Sequence, residues 1–234
     1  MFDIAFMIST VPEIIRRLPL TLLMAFVSCL LGLLLGLLLA LARFFKVRFI
    51  NELVKVYVSF IRGTPMLVQL YLVYYGIPLI VRNIVDAVGS DFDINSIPAI
   101  VFAFIAFSLN SAAYMSETIR SSIEAVDKGQ MEACYSIHLT TAQALRRVIL
   151  PQAFIIALPP LGNSLLSLVK DTSLAFSISV VDVMAGAKIV GSRSFRFFEV
   201  YIVVSLIYWL VCIVIEQLLN IVERRMRRFE KDSI

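Results

Sequence analysis

Charge is scarce in this chain. Asp, Glu, Lys and Arg make up 16% of its 234 residues, and hydrophobic side chains make up 60%. Soluble domains run at about 25% charged and about 45–50% apolar, so an ordinary soluble domain is excluded. Histidine occurs once, as His138, which removes any multi-histidine metal site and the HExxH zinc motif. The cysteines, Cys29, Cys134 and Cys212, are odd in number and lack motif spacing, which argues against a disulfide framework. Two of them fall inside apolar runs, where a small buried hydrophobe is the ordinary role. No GxSxG elbow is present, because Gly162-Asn163-Ser164-Leu165 lacks the closing glycine. Gly186 and Gly191 have the spacing of a phosphate-binding loop, but Ser192-Arg193 stands where Lys-Ser/Thr is required. The chain therefore has no ATPase motif and no nucleophile–base pair, and no catalytic, cofactor or metal residue is expected on it. Arg16-Arg17 precedes an apolar run too long for a signal h-region of about 7–15 residues.

What the chain has is long charge-free runs: Leu18 to Ala42, Gly63 to Val81, Ile94 to Ser116, Val148 to Val169, and Val200 to Ile215, the last extending to Val222 with only Glu216 inside it. A helix needs roughly 20 apolar residues to cross the hydrocarbon core. The reading is an all-α integral membrane protein with five transmembrane helices at about 18–42, 57–81, 94–118, 148–169 and 198–222. They form one transmembrane domain, 1–234, with a connecting loop at about 119–147.

The loop charges orient it. Arg43, Lys46, Arg48, Lys55 and Arg62 follow the first run, Arg120, Lys128, Arg146 and Arg147 the third, and Arg224, Arg225, Arg227, Arg228 and Lys231 the fifth. The other side has Arg16, Arg17, Arg82, Lys170, Lys188, Arg193 and Arg196, and its loop at 82–97 is net acidic through Asp86, Asp91 and Asp93. The positive-inside rule places the C-terminus in the cytoplasm and, with five spans, the N-terminus outside. The net charge of +4 reflects this placement and is no signal for nucleic acid.

Within the first run, Gly32 and Gly36 form a GxxxG that permits close helix approach. Residues 2–15 suit a short interfacial helix. Pro151, Pro159 and Pro160 predict that the fourth span is broken midway, with its freed carbonyls met by protein or a polar cavity. The segment 172–196 is short and rich in Ser and Ala, as a re-entrant or interfacial piece would be.

The loop from Glu117 to Arg147 reads as an amphipathic helix, with Met131, Tyr135, Leu139 and Ala142 on one stripe and Glu124, Asp127, Lys128 and Arg146 opposite. Two readings stand: a surface that docks a soluble partner, or a helix resting on the membrane interface. Glu132-Ala133-Cys134, followed by Val148-Ile149-Leu150-Pro151, resembles the EAA loop of ABC importer permeases, with Cys134, His138 and Val148 in place of Ala, Gly and Ile. The resemblance extends along nearly the whole chain to the polar amino-acid permeases, the histidine, glutamate, glutamine, arginine and cystine group. Arg62-Gly63-Thr64-Pro65 with Leu67-Val68-Gln69 is similar to that family's RGTP-LVQ signature. Ala113-Tyr114-Met115-Ser116-Glu117, Gly129-Gln130, Leu150-Pro151-Gln152-Ala153, Leu158-Pro159-Pro160 and Lys170-Asp171-Thr172-Ser173-Leu174 follow in order. Ser192-Arg193 and Ser205 to Trp209 look most like the cystine-type members.

The resemblance implies a type I ABC importer permease fold in the plasma membrane of a prokaryote. Such a permease pairs with a second copy or a sister permease and sits on two ATPase subunits that use ATP and Mg. It receives its amino acid from an extracytoplasmic solute-binding protein. The loop residues Gly129, Glu132, Ala133, Tyr135, His138 and Leu139 are then the ATPase-coupling candidates. Polar residues inside spans are costly and are functional candidates. Asn110, Asn163, Ser164, Lys170, Asp171 and Thr172 form the candidate substrate path, with Lys170 and Asp171 set either to pair with a substrate's carboxylate and ammonium or to pair with each other. Arg62 and Glu117 suit an inner gate or loop bracing. The rival reading is a passive channel or assembly subunit that binds a soluble partner without pumping.

Overall fold

The computed structural model describes residues 3–45, 48–89 and 92–231. Lys46, Ser90 and Asp91 lie outside the described residues, as do the side chains of Arg48, Arg227, Arg228 and Lys231. The described chain is helical throughout: α1 (Ile4–Ile15), α2 (Leu18–Phe44), α3 (Arg48–Gly63), α4 (Met66–Val88), α5 (Ala99–Glu124), α6 (Lys128–Ser136), α7 (Thr141–Ala144), α8 (Leu150–Asp171), α9 (Val183–Ser194) and α10 (Phe197–Lys231). Among the described residues five helical stretches are long and apolar enough to cross a membrane: Leu18–Phe44, Met66–Val88, Ala99–Glu124, Thr141–Ile178 and Phe197–Met226.

The second of these starts later than the expected 57. Pro65 has no amide hydrogen to give and stands as the N-cap of α4, so residues 57–63 belong to the separate helix α3. The third begins at Ala99 behind Pro98.

The core is built inside-out relative to a soluble bundle. In α2 the buried positions are Thr21, Met24, Ala25, Ser28, Gly32, Gly36 and Ala40, whereas Leu23, Leu30, Leu34 and Leu38 face outward. With hydrocarbon outside, burying leucine brings no gain over leaving it in lipid, and small side chains let backbones approach. The GxxxG does this against α5. A Cβ on Gly32 would lie 2.5 Å from the Ser111 Cβ, and one on Gly36 would lie 3.1 Å from the Met115 Cβ. α5 is thereby the most enclosed helix, with Phe107, Ala112, Ala113 and Met115 buried.

α1 packs away from that centre. Its Ile14 joins Val183, Ala187, Val200 and Val203 of α9 and α10 in a second apolar cluster, and Arg193–Glu13 and Arg196–Asp3 ion pairs fasten its surface.

One expectation is corrected. α8 is not broken at Pro159-Pro160; it runs unbroken from Leu150 to Asp171 with both prolines inside. The irregular backbone lies at its ends, in a π turn at Leu145–Ile149 and a 3-10 turn at Thr172–Ile178. Each proline deletes one amide hydrogen, but the residues before and after keep their helical geometry, and neighbouring helices tolerate the loss. The 3-10 turn packs inside the bundle, which suits the re-entrant alternative for this segment and not the interfacial one. Ala175 and Ile178 are buried among Met24, Leu70, Phe107 and Leu168. The chain then turns through a left-handed Ser179 into α9, capped by Asp182.

Candidate functional site

A cavity of about 620 Å³ lies where the start of α4 meets α5 and α8, and its lining includes Thr64, Asn110, Tyr114, Asn163, Ser164 and Asp171. Asn163, Ser167 and Asp171 recur at i, i+4 and i+8 and so share one face of α8; Ser167 lines the cavity with them. The structure thus brings together four of the six candidate path residues, Asn110, Asn163, Ser164 and Asp171. It separates the others. Lys170 lines a different cavity of about 400 Å³ beside Ser173, Tyr201 and Tyr208, because adjacent residues on a helix point about 100° apart. Lys170 and Asp171 form no ion pair with each other among the described residues, and they open into different cavities. Thr172 is wholly buried, and its hydroxyl donates to the Val169 carbonyl at 2.7 Å.

Asn163 lies in uninterrupted helix, so its backbone amide is engaged within the helix and only its side chain is open to a ligand. Ser164 donates its hydroxyl to the Pro160 carbonyl at 3.0 Å, leaving only lone pairs for a ligand.

Asn110 is held from behind the cavity wall by Gln69, a residue outside the candidate path. Gln69, in the first turn of α4, is buried. Its Nε2 donates to the Ile61 carbonyl at 2.7 Å, the Thr64 carbonyl at 3.0 Å and Thr64 Oγ1 at 2.9 Å. Ile61 lies in the last turn of α3, whose final carbonyls have no helical partner. Gln69 therefore caps α3 and holds the Thr64-Pro65 break shut. With three acceptors around Nε2 the amide has one orientation, so Gln69 Oε1 must accept, and it does so from Asn110 Nδ2 at 2.8 Å. That commits one of the two Asn110 amide hydrogens and turns the side chain so that its Oδ1 can accept at the cavity wall. The spacing of Thr64-Pro65 and Gln69 was the available signal; the bond to a backbone carbonyl was invisible in it.

At one end of the bundle Glu117 of α5 takes both Arg43 of α2 and Arg120, and Arg120 also holds Glu124 at 2.6 Å. Arg62 stacks its guanidinium over the Tyr114 ring at 5.7 Å, a cation–π contact.

The expected single amphipathic helix of the loop is two helices. α6 opens on Asp127, whose carboxylate accepts from the Gly129 amide at 2.6 Å. A Cβ on Gly129 would fall 2.8 Å from that carboxylate oxygen, so a larger residue there requires the Asp127 side chain to shift. α6 closes with His138 amide to Tyr135 carbonyl and Leu139 amide to Cys134 carbonyl, 2.9 and 3.0 Å, the bonding pattern of a Schellman cap. His138 has φ +61°, so it occupies the left-handed position that glycine normally takes, at a cost of about 1–2 kcal/mol. The stripe of Met131, Tyr135, Leu139 and Ala142 is therefore not continuous. Cys134 is the buried residue, and Glu132, Ala133 and Tyr135 are exposed. Ile137, absent from the expected stripe, is 69% exposed. α7 follows on a capping box between Thr140 and Gln143.

Beyond the centre, Asp182 caps α9 by accepting from the Ala185 amide at 2.9 Å. Burial pushes its carboxyl up to about 6 against the backbone hydrogen bonds that lower it.

Comparison with known proteins agrees along the chain. The family described as binding-protein-dependent transport system inner membrane component matches residues 32–228. The probable amino-acid permease protein YxeN of Bacillus subtilis (strain 168) is 40% identical over 226 residues, 97% of this chain and 96% of the relative. The L-cystine transport system permease protein TcyL of the same organism is 40% identical over 227 residues, 97% and 92% of the two chains. Among solved structures, one described as an amino acid ABC transporter with histidines superposes with a TM-score of 0.83 at 36% identity, covering 96% of this chain and 99% of that one.

Proposed function

The chain belongs to the family of binding-protein-dependent transport system inner membrane components, and from that premise we propose that it is the transmembrane permease subunit of an ATP-driven importer of polar amino acids, with L-cystine as a candidate cargo. The observation that carries the reading is similarity over nearly the full length to amino-acid permeases, cystine permeases among them. Its five candidate spans suit a multi-pass protein of a prokaryotic plasma membrane. In this reading the C-terminus is cytoplasmic and the N-terminus outside, as the loop charges favour.

The cavity between α4, α5 and α8 accepts the amino acid. Asn110 Oδ1 and the Asp171 carboxylate offer acceptors to an ammonium group. The Asn163 amide supplies a donor to a carboxylate, and Ser164 offers lone pairs. A separate ATPase subunit uses ATP and Mg, a solute-binding protein delivers the cargo, and a second permease, identical or sister, completes the membrane unit. The exposed residues Glu132, Ala133, Tyr135 and Ile137 of the loop around α6 dock on the ATPase, while Gly129 and His138 shape the two ends of that helix and Leu139 lies behind it.

Coupling has a physical route. Met131 packs on a cluster of Ala40, Ile119, Ile123, Leu145, Ile149 and Ala153, which joins the ends of α2, α5 and the segment leading into α8. A shift of α6 thus reaches α5 and α8, the cavity's walls, and each ATPase state favours one arrangement of them. Arg62 on Tyr114 and Glu117 between its arginines brace the inner end.

Proteoliposomes holding the permease, its ATPase and its binding protein test the reading. Labelled L-cystine and other polar amino acids are expected to accumulate only when all three proteins and ATP are present. Flux that persists without the ATPase or ATP would establish the passive channel instead.

A further inference from the structure

We propose that the end of the bundle between α2 and α3 holds a binding site for the phosphate headgroup of an anionic glycerophospholipid, whose acyl chains lie along α3.

α3 has three faces. Val54, Val58 and Ile61 are buried, packed with Ala113 of α5. Phe49, Leu53, Val56 and Phe60, at i, i+4, i+7 and i+11, are 76%, 55%, 69% and 52% exposed. Between these two stripes runs a third, Lys55, Ser59 and Arg62, again at i, i+4 and i+7. At 16 residues, about 24 Å, α3 is too short to span. A helix with one apolar stripe outward and cations beside it lies along the interface, with its charges at headgroup depth.

The polar stripe opens into a cavity of about 450 Å³ lined by Arg43, Lys55, Ser59, Arg62 and Glu117. Its charges are unevenly satisfied. Glu117 is shared between Arg43 and Arg120, and Arg120 also takes Glu124. Lys55 meets only the exposed Glu52 at 2.7 Å, a surface pair of little worth. Arg62 has no carboxylate partner among the described residues; its guanidinium face rests on Tyr114, leaving its N–H edge for a ligand. A phosphate oxygen fits one free guanidinium, one weakly held ammonium and a hydroxyl. Basic pockets between helices at this depth suit anionic headgroups. The adjoining apolar stripe gives the acyl chains their place, which neither a free phosphate nor an acidic protein segment would use.

The test uses the assembled transporter in neutral detergent with equal amounts of phosphatidylglycerol and phosphatidylcholine, reading retained lipid by native mass spectrometry. Phosphatidylglycerol is expected to be retained over phosphatidylcholine. Lys55→Gln and Arg62→Gln are each expected to lower that preference about fivefold, while Lys55→Arg, and Arg16→Gln beyond the opposite end of α2, leave it intact. Should Arg62→Gln fail to assemble, Lys55→Gln carries the test alone, since that side chain is half exposed. Equal retention of the two lipids overturns the proposal. So does displacement of phosphatidylglycerol by millimolar inorganic phosphate, which makes this a free-anion site. Loss of the ATPase on Lys55→Gln, with no lipid preference in the parent complex, overturns it in favour of a protein occupant.

Discussion

α5 makes two seams, and they are opposites. Against α2 it is closed: Gly32 and Gly36 bring the backbones so near that even a Cβ at Gly32 has no room. Against α8 it is open, leaving the polar cavity of Asn110, Asn163, Ser164 and Asp171. The closed seam uses glycine, alanine and serine for proximity. The open seam uses the same small residues beside amides and a carboxylate, and its opening is fixed by Gln69 at the head of α4. Small residues in a span therefore mark close approach or a cavity, and the polar neighbours decide which.

The largest effect is expected where the closed seam is forced apart. Gly32→Leu places a whole side chain where a single carbon already lies 2.5 Å from the Ser111 Cβ. Overpacking costs about 1–3 kcal/mol when a core can adjust, and here the obstruction includes the backbone of α5. The permease is expected to lose its folded, detergent-stable form in size-exclusion profiles. A folded Gly32→Leu variant with normal uptake would remove the distinction between the seams.

Next comes Gln69→Leu, which acts on the open seam from behind. It leaves the Ile61 and Thr64 carbonyls and the Asn110 amine without their present partner, and each buried polar group so stranded costs about 1–3 kcal/mol. A lowered melting temperature together with lost substrate-stimulated ATPase activity is expected. Gln69→Glu is expected to recover part of the link to Asn110, because a carboxylate oxygen still accepts from Nδ2, but not the capping of α3. Equal behaviour of the two variants would show that Asn110 is not held through Gln69.

How much of this was legible follows from what each residue does. The five apolar runs placed the long helices, because lipid demands length and low charge whatever the packing. The apolar run continues through Pro65, which predicts a start near 57, but the proline ends one helix and caps the next, so the second long helix starts at Met66. Pro159-Pro160 is the reverse case: the sequence predicts a break, and α8 continues. The two cases differ in neighbours: Pro65 follows Gly63-Thr64 at a helix end, while the tandem prolines sit between helix-compatible residues. The glycine at the end of the EAA segment is replaced by His138, yet the Schellman bonds impose the left-handed turn regardless. Lys170 and Asp171 looked like a pair because they are adjacent, although adjacency on a helix is what keeps side chains apart. The role of Gln69 runs through backbone carbonyls, which no residue pattern displays.

Asn163→Leu is expected to have an intermediate effect confined to the open seam. Complex assembly and basal ATPase activity are expected to survive, with half-saturation of substrate-stimulated ATPase raised roughly two- to tenfold, the worth of one hydrogen bond. An unstable complex with unchanged substrate dependence would make Asn163 a packing residue and leave the cavity without this donor.

The smallest effect is expected from Ser164→Ala, and it sharpens the comparison most finely. Ser164 stands in the same cavity as Asn163, but its hydroxyl hydrogen is already committed to the Pro160 carbonyl at 3.0 Å. Back-bonding of this kind contributes little to a helix and often bends it. It also does not repair the helix, since the carbonyls orphaned by Pro159 and Pro160 are those four residues before them. What Ser164 can offer a substrate is a lone pair directed at an ammonium group, a role that the proposed site already gives to Asn110 and Asp171. Ser164→Ala is therefore expected to shift half-saturation by less than about threefold, with stability within about 1 kcal/mol. A shift as large as that of Asn163→Leu would mean that the hydroxyl leaves Pro160 when substrate enters and donates to the carboxylate. The open seam would then owe its chemistry to a serine that changes partners, in contrast to Ser111, whose Cβ is fixed against Gly32 in the closed one.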